Sequence, residues 1–172
     1  MKKFNQLLHE PLTWKNDDIW GRTYTLRHGD TVLAHLEQDQ GLFKSDASIY
    51  VPDEEKALYI FRPKGILNRR LEVESRDIDF VPAKLIPHTW SDGVTIHFSS
   101  GNQYEWNKTD FWGRTWQLTT AEGVTIATQK LGTWSNKGIF TILSDAPAPA
   151  ELTQLIFAGW VQMILELQAA AA

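Results

Sequence analysis

Two copies of one pattern occur in this chain. Trp14, Asp18, Trp20, Gly21, Arg22, Thr23, Tyr24 and Leu26 are matched, at a constant spacing, by Trp106, Asp110, Trp112, Gly113, Arg114, Thr115, Trp116 and Leu118. Aromatic replaces aromatic at the one inexact position. After one inserted residue the match weakens, with Ala34 against Ala127 and Lys44 against Lys137. The spacing exceeds the roughly 20–50-residue periods of solenoids and propellers, so the expected product is two similar halves within one closed sheet.

Across 12–143 the apolar residues alternate or form short β-branched and aromatic runs separated by turn residues, the rhythm of a strand meander. Three hairpins are legible. Thr23 to Arg27 return through His28, Gly29 and Asp30 to Val32 and Leu36. Val94 to Phe98 return through Ser99 and Asn102 to Tyr104 and Trp106, and Thr115 to Thr119 return through Ala121, Glu122 and Gly123 to Val124 and Thr128. Gly and Asn tolerate the positive φ that such reversals require. Further strands are predicted over 57–61, 66–73 and 78–81, with Pro52, Pro63, Pro82 and Pro87 at strand ends, where a missing N–H does least harm.

Asp145, Pro147 and Pro149 end the last strand, and good helix formers fill 152–172. Glu151, Gln154, Ala158, Gln162 and Glu166 form one narrow stripe, and apolar residues cover the rest of the circumference. A helix apolar nearly all round is a buried helix. Its apolar run, 155–165, contains Gln162 and is about half the ~20 residues needed to span a membrane, so no transmembrane segment is expected. Gly159 is expected at a close approach to surrounding backbone.

Eight Trp and eight Phe suit a sheet whose interior must be filled from its strands. Trp20, Trp112, Trp116 and Trp160 are assigned to the core or barrel closure, and Trp90 and Trp134 to a rim. The absence of Cys removes disulfides and thiolate ligands and favours a reducing compartment. Together with the lack of a signal-peptide pattern in the first ten residues, it makes a cytoplasmic location the default, with membrane association open. A net charge of −4 argues against a general nucleic-acid binder.

The duplicated Trp, Gly, Arg element, the meander and the apolar segment 152–167 together resemble the tubby-like superfamily, more closely its LURP-one-related branch, which includes the phospholipid scramblases. The resemblance implies a mainly β fold: a closed antiparallel barrel of about twelve strands, in two similar halves, around a buried hydrophobic C-terminal helix. On that basis one domain covers 1–172, with the barrel over about 12–144 and the central helix over about 150–168. It also implies phosphoinositide binding, membrane tethering or lipid movement, although the scramblases' Cys-rich segments have no counterpart here.

The candidate ligand-binding residues are Arg62, Lys64, Arg69 and Arg70, clustered around Pro63 and Gly65. Clustered cations suit a phosphate group, which Arg clamps with paired donors. The competing reading is a solvated turn balanced by Glu72, Glu74 and Asp77. Asp18 with Arg22 and Asp110 with Arg114 are expected to form structural ion pairs, because their duplication follows the fold. The five His show no metal-motif spacing, so a metal is not expected; His35 and His97 in strands are the nearest to a candidate pair. No catalytic or cofactor fingerprint is present. The expected function is a non-enzymatic binding or scaffold domain without cofactor, for an anionic lipid, a phosphorylated ligand or a protein partner. The alternative is an enzyme with a pocket at the barrel mouth using His97, Asp92 or another carboxylate.

Overall fold

A computed structural model describes residues 4–39, 46–64, 70–88, 93–134 and 136–171. Six strands form the first half: β1 (Pro11–Asn16), β2 (Thr23–His28), β3 (Thr31–Gln38), β4 (Ala47–Tyr50), β5 (Tyr59–Lys64) and β6 (Arg70–Ser75). The second half contains β7 (Ala83–Pro87), β8 (Gly93–Phe98), β9 (Gln103–Lys108), β10 (Thr115–Thr120), β11 (Thr125–Leu131) and β12 (Lys137–Ile142). One helix follows, α1 (Pro149–Ala171). Every strand pairs antiparallel with its sequence neighbours, and β1 pairs with β12 to close the barrel.

The two copies of the repeat, which fall on β1–β3 and β9–β11, share their irregularities as well as their residues. The β2–β3 register shifts between Leu26 and Arg27, and the β10–β11 register shifts at the matching place between Leu118 and Thr119. Gly21 and Gly113 both adopt a φ of 66°, a left-handed value that a Cβ would strain.

A twelve-stranded barrel is wider than its own inward side chains can fill, and α1 occupies the surplus. Leu152, Leu155, Ile156, Phe157, Trp160, Val161, Met163 and Ile164 are all buried, which accounts for every side of the helix. Phe157 meets Tyr59 of β5 at 5.3 Å between ring centres, and Gly159 sits against the Trp106 ring of β9. Gly159 thus makes room for an indole of the wall rather than for backbone. The same device recurs in the sheet, where Gly138 faces Trp14 across β1–β12 and a Cβ there would lie 2.6 Å from the ring.

The first part of the polar stripe, Glu151, Gln154 and Ala158, is enclosed too. Glu151 accepts hydrogen bonds from Ser100, Asn102 and Tyr104, at the end of the barrel where α1 enters. Desolvation, and then the Glu151 carboxylate, push the Tyr104 phenol above its ordinary pKa. At the other end, Gln168 donates to Gly21 O, so the last turns of α1 emerge among the loops there. Among the described residues no helix is long and apolar enough to cross a membrane.

Three expectations are corrected. Residues 78–81 form no strand: Phe80 N–H bonds back to Asp77 O in a turn, and the strand begins at Ala83. Trp20 and Trp112 are exposed, because each sits in the loop between two strands rather than on an inward strand position. Asp18 and Asp110 accept the backbone N–H groups of Arg22 and Arg114, and no ion pair with either guanidinium occurs among the described residues.

Candidate functional site

Of the sequence-nominated cations, the barrel brings Arg62, Lys64 and Arg70 onto neighbouring strands β5 and β6; Arg69, like Trp90 and Asp92, lies outside the described residues. Each of the three described cations has a carboxylate beside it. Arg62 donates to Asp46 at 3.0 Å and Glu74 at 2.5 Å, while Lys64 and Arg70 each lie 3.9 Å from Glu72. Asp46, and then Glu74, hold the Arg62 guanidinium pKa above its usual value. Asp77 instead accepts the Tyr59 hydroxyl.

A different set of cations comes together on the outer wall. Antiparallel pairing aligns Lys130 of β11 with Ile139 of β12, Ile139 with Thr13 of β1, and Thr13 with Arg27 of β2. The next outward row runs Lys137, Lys15, Thr25 and His35 across β12, β1, β2 and β3. Lys15, Thr25, Arg27, Lys130 and Lys137 border a groove of about 560 Å³ that Ile139 also lines. Lys15 and Lys137 are directly opposite, a placement that costs free energy when both are charged. None of Lys15, Arg27, Lys130 and Lys137 makes a salt bridge among the described residues. Arg27 donates to Asp30 O, and the nearby Asp17 accepts the Thr25 hydroxyl, which also lies 3.0 Å from His35 Nδ1.

Strand parity places the three lysines here. Lys15 follows inward Trp14, Lys130 follows inward Gln129, and Lys137 precedes inward Gly138. That much is readable from alternation, but the juxtaposition is not, because closure joins residues from opposite ends of the barrel sequence.

Two other clefts exist. One of about 410 Å³ at the mouth is lined by Lys108, Trp112, Arg114, Trp116, Met163 and Glu166. There Lys108 Nζ stands 5.5 Å from the Trp116 ring centre, and Arg114 donates to Gly132 O. The other, about 540 Å³ at the far end, carries Asp53, Glu54, Asp77 and Asp79. His97 lies exposed on the outer face of β8, and His35 lies on β3, which is not adjacent to it. No group of three metal-ligating side chains occurs among the described residues.

The outer groove is therefore suited to an anion carrying an apolar portion: cations and an exposed isoleucine line it, with no carboxylate partner already in place among the described residues. Compared with protein-family models, curated proteins and solved structures, the chain finds no match.

Proposed function

We propose that this chain is a non-enzymatic binding domain that takes an anionic lipid headgroup, or a soluble ligand with the same phosphate chemistry, in the groove on its outer wall. The observation that carries this reading is the set Lys15, Arg27, Lys130 and Lys137 around one groove, with no salt-bridge partner among the described residues. A phosphate between Lys15 and Lys137 turns their mutual repulsion into two attractions, and Arg27 supplies paired donors. The enclosed helix supports an outside site, because it occupies the volume where barrels hold small ligands.

We also infer kinship with the tubby-like superfamily and its LURP-one-related branch, supported by twelve strands, a repeated three-strand element and an enclosed C-terminal helix. A cytoplasmic protein working at a membrane surface agrees with that kinship and with the absence of Cys.

Vesicle sedimentation tests the function. The parent protein is expected to pellet with phosphatidylcholine vesicles containing phosphatidylserine, and less so as salt rises. Lys15→Glu with Lys137→Glu lowers that binding on the order of 1,000-fold, since each basic residue near an anionic surface contributes about 1 kcal/mol and reversal doubles the change. Lys64→Glu with Arg70→Glu, whose cations already face Glu72, has a smaller effect. A parent protein that neither pellets nor binds an inositol phosphate removes the proposal.

A further inference from the structure

We propose that the protein docks end-on onto an anionic bilayer, with the loops joining β1 to β2, β9 to β10 and β11 to β12 entering the interface. This rests on the anion-binding reading above and commits it to a membrane rather than a soluble phosphate ester.

In an up-and-down barrel every loop leaving an odd-numbered strand lies at the same end, and these three loops are consecutive around the rim because β9 through β12 and then β1 and β2 are consecutive in the sheet. Their tips are apolar and uncovered. Ile19 and Trp20 are 92% and 72% exposed, Phe111 and Trp112 91% and 80%, and Trp134 82%. Phe111 and Trp112 pack edge to face on each other at 5.3 Å, with no other ring against them among the described residues. Contiguous apolar exposure of this kind marks an interaction surface, and Trp favours the headgroup level of a bilayer, where its ring and N–H are both accommodated.

The tips are held out rather than loose. The Asp18 carboxylate accepts Trp20 N–H at 2.7 Å and Thr23 N–H at 2.8 Å, and Asp110 accepts Arg114 N–H at 2.8 Å, so both of these carboxylates are engaged by their own loop's backbone. Apart from Asp17, which is exposed and accepts the Thr25 hydroxyl, the charged groups around the tips are basic: Arg22 and Arg114 flank them, and Lys15, Lys130 and Lys137 stand at the adjoining strand ends. The loops at the opposite end carry Asp53, Glu54, Glu55, Asp79 and Glu122. With Lys56 and Arg76 counted, that end is still net acidic, whereas the three aromatic loops and the strand ends beneath them are net basic, so theirs is the side an anionic surface attracts.

The chain has no Cys, so single introduced thiols can carry an environment-sensitive nitrobenzoxadiazole label. Ile19→Cys and Phe111→Cys probe the rim, and Ile78→Cys, 97% exposed at the far end, is the matched control. With phosphatidylcholine–phosphatidylserine vesicles, labels at 19 and 111 are expected to blue-shift and to be quenched by lipid-borne quenchers, while 78 stays unchanged. Replacing Trp20, Trp112 and Trp134 by Ser should weaken partitioning on the order of tenfold per ring with the circular dichroism spectrum preserved. If the parent pellets but the rim labels stay silent, or 78 responds instead, end-on docking is overturned and the cationic groove stands. Binding of inositol phosphate without vesicle binding has the same meaning. Failure to bind either removes both.

Discussion

Replacing Glu151 by Leu should cost the protein about 3 kcal/mol. The carboxylate is 3% exposed in the first turn of α1, accepting Ser100 Oγ at 2.6 Å, Asn102 Nδ2 at 3.0 Å and Tyr104 Oη at 2.7 Å. Leucine relieves the burial of a charge but leaves these donors without their acceptor, at about 1–3 kcal/mol for each that stays dry. Ser100 and Asn102 lie in the exposed β8–β9 turn and regain water, whereas Tyr104 is buried and keeps nearly its full penalty, so the net sits at the upper end of that range. For a chain of 172 residues the melting temperature falls by roughly 6–12 °C. Urea unfolding followed by tryptophan fluorescence gives the free energy, and Glu151→Gln, which keeps one acceptor oxygen, should lose less. Tyr104→Phe should cost less when added to Glu151→Leu than when made in the parent. A Glu151→Leu protein as stable as the parent, or equal Tyr104→Phe costs in both backgrounds, would refute this role for the carboxylate.

Two further outcomes follow from buried polar groups. Both amide atoms of inward-facing Gln129 lack a hydrogen-bond partner among the described residues, so Gln129→Met should raise stability by about 1–2 kcal/mol in the same urea assay; a loss of stability contradicts it. Burial, and then Asp77 for Tyr59 and Glu151 for Tyr104, raise both phenols above 10.0; a folded-state pKa above the unfolded value means stability is complete below pH 10.0 and is lost as pH climbs beyond it. Tyrosinate absorbance should therefore rise late and together with loss of the circular dichroism signal. A smooth titration of all four Tyr near 10.0 in folded protein contradicts this.

The fold is legible where the physics is local. Gly29 and Gly123 end strands by their positive φ, and the nearly complete apolar circumference of 152–165 leaves the helix nowhere to lie but inside. The repeat announces that β1–β3 and β9–β11 are built alike, and the matched bulges at Leu26 and Leu118 follow from it. Trp20 and Trp112 depart from their inward assignment because ring size alone does not fix a position. The signal is present in the chain: each stands between an Asp that caps a turn and a Gly at φ 66°, which is loop chemistry. Similarly, Arg62 to Arg70 stand out as a local charge run, yet Glu72 and Glu74 are as close in sequence and pair with them across the hairpin. The groove cations cannot be grouped beforehand, since Lys15 meets Lys137 only through the β1–β12 seam, a contact between opposite ends of the barrel sequence.

An outside binding site follows from the helix filling the barrel, and native-state hydrogen exchange tests that most directly. The amides of Leu155 to Ile164 should exchange only through global unfolding, as slowly as the best-protected strand amides, with a free energy equal to that from urea. Exchange of that segment through a cheaper opening, while the strands stay protected, would mean that α1 leaves the barrel without unfolding it and that the interior is available to a ligand.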